Sequence, residues 1–133
     1  MPLYLILIFI FSGIGILDTL YLSYHAIKKT SVACWFFPKE WCFKVQFSPQ
    51  SKTFGIPNAF LGLAMYVSIF VFATLFTRER VSCFPISVFV TIGFLFSMYF
   101  TYVQARVLRA FCTWYVLSAI NFIVLFVAVY FLR

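Results

Sequence analysis

The residues best placed for chemistry are cysteines. Cys112 stands where the segment RAFCTWYVLSAIN changes from a short polar connection to a long apolar run. A thiol at a helix N-terminus has its thiolate favoured by unpaired backbone N–H groups and by the helix dipole, which makes it a better nucleophile than an average cysteine. Cys34 and Cys42 form a second group in CWFFPKEWC. A zinc site there would need further Cys or His at short spacing, and only His25 is near. A static structural disulfide is a second reading, and a pair that opens and closes by exchange is a third, provided another thiol can reach it.

The elements that must position these thiols are apolar helices. Of 133 residues, 65% are hydrophobic and 10% charged, which excludes an ordinary soluble domain. Four apolar runs, about 3–27, 57–77, 85–105 and 110–132, each reach the roughly 20 residues that a bilayer-crossing helix needs. Little chain lies outside them, so one all-α membrane domain is expected over 1–133: a four-helix bundle whose mouth is covered by the cysteine-bearing loop between the first two spans. The first run lacks a basic leader and a small-residue cleavage site, and it is too long for a signal-peptide core, so it is expected to be retained. The many phenylalanines then face lipid or fill the bundle. Glycines such as Gly15, Gly62 and Gly93 suit the close helix contacts of a membrane interior.

The 10 Lys and Arg outweigh 3 Asp and Glu. Lys28, Lys29, Lys39, Lys44, Lys52, Arg106 and Arg109 share one side of the membrane, and Arg78, Arg80 and Arg133 share the other. Short loops rich in Lys and Arg stay in the cytoplasm, so the cysteine-bearing loops are expected to face inward. Such lysines also suit a solvated face or anionic headgroups, and no nucleic-acid partner is expected. Cys83 falls at the other membrane face and is expected to be a bystander.

Along the chain, Asp18 lies roughly 13 Å from the Ile27 end at about 1.5 Å per residue, with Tyr21 and His25 on the same helical face. An ionisable residue at that depth faces the bundle interior. The simpler expectation is a protonated or hydrogen-bonded Asp18 that pins a neighbouring helix, with His25 interfacial; the other is service to a proton route or a ligand. The long loop to Ile56 is rich in aromatics, including Trp35, Trp41, Phe43 and Phe54, enough to lie on the bundle mouth as a half-helix around 39–45. In FGIPNAFLGLAMY, Pro57 opens the second span. Asn58 follows, suited either to capping the helix or to hydrogen-bonding a carbonyl ligand, and Tyr66 lies two turns deeper on its face. Tyr99, Tyr102 and Gln104 at the end of the third span fit an interfacial belt. The short connection after them pins Cys112 at the interface.

Taken in order, SVACWFFPKEWC, TFGIPNAFLGLAMY and YFTYVQARVLRAFCTWYVLSAIN resemble the vitamin K epoxide reductase family, in its archaeal and bacterial disulfide-forming type. The resemblance covers all four spans and implies a membrane thiol–quinone oxidoreductase. A quinone of the menaquinone, ubiquinone or vitamin K type would be reduced at the bundle mouth by a C-x-x-C pair, with no metal. Loop cysteines would bring electrons from a thioredoxin-like partner. Carried onto this sequence, Cys34 would exchange with the partner and Cys42 would shuttle to Cys112. Asn58 would hydrogen-bond a quinone oxygen, with Tyr66 and Phe54 completing the quinone site. The chain stops at Arg133, so the partner is expected to be a separate protein. Because cytoplasmic disulfides are rare outside hyperthermophiles, the inward charge bias suggests a member that oxidises cytoplasmic thiols in such an organism.

The departure from the family is at Tyr115. The motif reads Cys112-Thr113-Trp114-Tyr115, with tyrosine where the family has its second cysteine, and a phenol with pKa near 10 takes no part in thiol exchange. The last electron transfer is then blocked or rerouted, and Cys112, lacking a near thiol, is expected to be bonded to Cys42 with Cys34 free. A quinone-binding or structural relic of the same fold is the competing reading. A transporter is disfavoured by the scarcity of intramembrane polar residues.

Overall fold

The computed structural model describes residues 2–132 except Ser31, Trp35, Gln50, Ser51 and Phe54. Four long helices carry the chain back and forth: α1 (Leu3–Lys28), α3 (Asn58–Thr77), α4 (Phe84–Tyr102) and α5 (Thr113–Val127). A short helix, α2 (Lys39–Gln46), lies in the first loop, where the half-helix was expected. It is followed by a two-stranded antiparallel ribbon, β1 (Lys52–Thr53) with β2 (Ile56–Pro57). Its reversal uses Gly55 at φ 79°, in the left-handed region. All four long helices are long and apolar enough to cross a membrane.

Each long helix is apolar on every side, so hydrophobicity alone does not say which face turns inward. Small and polar residues do. Along α1 the buried positions include Ser12, Gly15, Asp18, Thr19 and Leu22, while Leu3, Ile6, Ile10, Leu17, Leu20 and Ile27 are exposed on the outside. Membrane helices associate through close packing at small residues, and two glycines make that contact here. A Cβ at Gly15 would run into the ring of Tyr66, and one at Gly93 into the ring of Phe122. Tyr66 and Phe122 are themselves stacked, with centroids 4.6 Å apart. Gly15 of α1, Tyr66 of α3, Phe122 of α5 and Gly93 of α4 thus form one bolt across the bundle. The helices close in the cyclic order α1, α3, α4, α5, each packed on two neighbours.

Helix ends differ from the expected spans near Cys112. The third span does not stop at 105: α4 continues through a π-helical turn, Val103–Leu108, so the membrane-length helix runs Phe84–Leu108. The fourth begins only at Thr113, since Cys112 is extended (φ −102°, ψ 128°). Arg109, in the left-handed region at φ 52°, turns the chain between them. The wider turn carries Gln104 inward, which reverses its expected place in the interfacial belt: Gln104 is buried, whereas Tyr99 and Tyr102 are exposed.

Candidate active site

The first loop folds over the end of the bundle that carries Cys112. Gln46 at the end of α2 pins it, accepting from the Val32 N–H at 3.0 Å and donating to the Thr30 carbonyl at 2.7 Å. Trp114, in the first turn of α5, donates its indole N–H to the Ala33 carbonyl at 2.7 Å. Phe37 is stacked between Trp41 and Phe111, with centroids 5.8 Å from each. An aromatic lid therefore covers the mouth.

Under that lid the sulfurs converge. Cys34 and Cys42 are joined in a disulfide, with Cα atoms 5.9 Å apart, a usual spacing for the bond. Cys112 and Cys83 are free and buried. This overturns the expected Cys42–Cys112 bond with a free Cys34, and it removes the zinc reading. The physical reason is local: Pro38 starts α2 directly after the loop turns, and α2 brings Cys42 back to Cys34. Cys34 is half-buried, while Cys42 is fully buried and shares one hydrophobic cluster with Cys112. The Thr113 hydroxyl lies 3.9 Å from the Cys34 sulfur, so the disulfide rests against the start of α5. Among the described residues no group of three His, Cys, Asp or Glu side chains could hold a metal. Cys83 lies in the other cluster, away from this mouth.

Cys112 caps α5. Its N–H donates to the Gln104 side-chain oxygen at 2.9 Å, and its carbonyl accepts from Val116. Gln104 is a site residue that sequence reasoning placed elsewhere; its signal was a lone amide in an apolar run. The backbone N–H groups of Trp114 and Tyr115 at the start of α5 pull the Cys112 thiol down, as the helix-terminus argument requires, but they make no cap hydrogen bond to its sulfur, and burial dominates and pushes the thiol up to about 11. The expected activated thiolate is therefore absent at rest. Alkylation of Cys112 in the reduced protein should rise about tenfold per pH unit between pH 7 and 10, because reactivity follows the thiolate fraction. A plateau near pH 8.5 in a rate series with iodoacetamide would contradict this.

Beneath Cys112 a cavity of about 300 Å³ opens among the four helices. Its wall is apolar apart from a few groups, among them Asn58, Gln104, Tyr115 and Ser118. Asn58 is buried in the first turn of α3, and Pro57 rather than Asn58 is the N-cap. Tyr115 packs on Phe100 with centroids 4.9 Å apart. Cys112 is not part of the cavity wall, and Tyr115 is. Tyr66 lies behind the wall rather than in it: fully buried, it stacks on Phe122, and its hydroxyl donates to the Ser118 carbonyl at 3.1 Å and meets the Ser118 hydroxyl at 2.9 Å. Ser118 and Phe100, both lining, carried no motif by which the sequence could single them out. Phe54, expected at the quinone site, lies outside the described residues.

A four-helix membrane bundle with a cysteine pair in its lid, a buried thiol beneath it and an apolar cavity below defines a membrane redox protein. A family model matches residues 6–130, nearly the whole chain. The chain belongs to the Vitamin K epoxide reductase family. Comparison with curated proteins finds no match. The family assigns an oxidoreductase activity carried by cysteines in an integral membrane protein, and it is associated with quinones.

Proposed function

We propose that the protein is a membrane thiol–quinone oxidoreductase that makes protein disulfides, with its last electron transfer blocked or altered at Tyr115. The observation that carries this reading is the graded burial of three sulfurs over one cavity. Cys34 is half-buried beside an almost fully exposed Phe36, and Cys42 and Cys112 are sealed within one cluster. A thioredoxin-like partner exchanges with Cys34, Cys42 passes the reducing equivalents inward to Cys112, and a quinone occupies the cavity. The cavity suits a quinone because such sites are largely apolar with a few placed polar groups. Asn58 holds one quinone oxygen. Electrons and protons balance, since two thiols closing to a disulfide release the two electrons and two protons that a quinone takes up to become a quinol. In this reading the lid faces the cytoplasm, which the Lys and Arg bias supports.

A second reading, a quinone-binding protein without turnover, is favoured by the tyrosine that stands in the cavity wall while Cys112 does not. Both readings require binding. A short-chain ubiquinone titrated into the purified protein in detergent should quench tryptophan fluorescence saturably, and Asn58→Ala should weaken that binding about tenfold, the loss of one hydrogen bond to a buried acceptor. Non-saturable quenching in the parent protein would remove both readings.

A further inference from the structure

Among the described residues, Asp18 is the one buried carboxyl group, and the proposed thiol relay leaves it unused. It lies well inside α1, about 15 Å from the Lys28 end at 1.5 Å per residue, and it is buried with neither carboxyl oxygen in a hydrogen bond among the described residues. A residue retained to pin a neighbouring helix would meet a partner. The Asn121 amide of α5 is also fully buried, with no hydrogen bond of ordinary length and angle.

These orphaned groups adjoin a connected pair of hydroxyls. Gly15, one turn before Asp18 on the same face, carries the Tyr66 ring against it. The Asn121 amide neighbours the Tyr66 hydroxyl. That hydroxyl meets the Ser118 hydroxyl at 2.9 Å, and Ser118 lines the cavity. The titratable side chain packed on this face of α1 is Tyr66 of α3.

We infer that Asp18 is a proton-carrying residue, linked to the cavity through the Tyr66 and Ser118 hydroxyls. The inference rests on the quinone reading above. A buried carboxyl with no cation beside it is held as the neutral acid, which supplies a proton in the absence of bulk water. Asp18 gives that proton to the Tyr66–Ser118 pair, which passes one to the quinone oxygen. Two thiols closing to a disulfide give up two electrons to the quinone and release two protons, one of which goes to the second quinone oxygen while the other restores the Asp18 acid. The thiol pair is oxidised, the quinone is reduced, and Asp18 ends as it began.

Infrared spectroscopy tests the carrier directly. The parent protein should show a carbonyl stretch of a protonated carboxylic acid that disappears in Asp18→Asn and persists, shifted, in Asp18→Glu. In a Tyr115→Cys background, Asp18→Asn should slow quinol formation at least tenfold and Asp18→Glu should restore most of it. Saturable quenching by the quinone should be unchanged in all three. The inference is overturned if Asp18→Asn removes no acid band, or if it turns over like its parent. If the Tyr115→Cys protein with Asp18 intact neither binds nor reduces quinone, the quinone reading itself falls and takes the inference with it.

Discussion

Tyr115→Cys is expected to raise quinone-dependent oxidation of a dithiol by at least about 100-fold, on the scale of gaining an exchangeable nucleophile where none existed. Tyr115 occupies the cavity wall against Phe100, and Cys112 lies behind it. A sulfur at position 115 would therefore face the cavity and stand one helical turn from Cys112, near enough to exchange with it. A phenol at that place neither forms a disulfide nor releases one. Truncating the ring also leaves a void beside Phe100, and large-to-small changes at packed sites cost about 2–5 kcal/mol. Rates must accordingly be compared per folded molecule, with Tyr115→Ala as the control for the void. If Tyr115→Ala accelerates the reaction as much as Tyr115→Cys does, access to the cavity rather than a missing thiol is what limits the parent chain.

Cys42→Ser in the Tyr115→Cys background should reduce oxidation of a thioredoxin-like dithiol to the uncatalysed level, a loss of about 1000-fold or more. In the proposed relay Cys42 joins the two halves, since it is bonded to Cys34 on one side and buried in the Cys112 cluster on the other. Losing the disulfide also frees the loop, worth about 2–4 kcal/mol for a typical bridge, so loosening of the lid must be separated from loss of the sulfur. Cys34→Ser makes that separation. It opens the same loop while keeping Cys42, and the quinone half of the relay should still act, trapping Cys42 on Cys112 in a cross-link that peptide mapping detects. Should Cys34→Ser give no such cross-link in the presence of quinone, Cys42 does not deliver to Cys112.

The architecture was legible because a bilayer sets helix length. Four apolar runs of about 20 residues have few alternatives, and CWFFPKEWC with its aromatics had to fold back on the bundle. Which residues face inward was less legible, because α1 is apolar all round and its interior face is marked only by Ser12, Gly15, Asp18 and Thr19. The π-helical turn at Val103–Leu108 has no simple sequence signature, so Gln104 read as an interfacial residue although it holds the Cys112 amide. Tyr66 was expected in the cavity wall on the face of Asn58, but periodicity does not reveal that it stacks on Phe122 of another helix, which lines the cavity in its stead. The disulfide was misjudged for a related reason. Tyr115 argued from the sequence that Cys112 lacks a neighbour, whereas pairing is decided by where α2 carries Cys42. Helix-terminus reasoning likewise described the amides around Cys112 and left out its complete burial.

The most direct test of a quinone-linked thiol relay is a single turnover. Fully reduced Tyr115→Cys protein is mixed without oxygen with one equivalent of a short-chain quinone, quinol is read by absorbance, and the cysteines are mapped by mass spectrometry. The account predicts close to one quinol per protein, with Cys34 and Cys42 recovered as a disulfide. Quinone that binds saturably and stays oxidised while every thiol remains reduced would contradict it, and would leave the chain a quinone-binding protein.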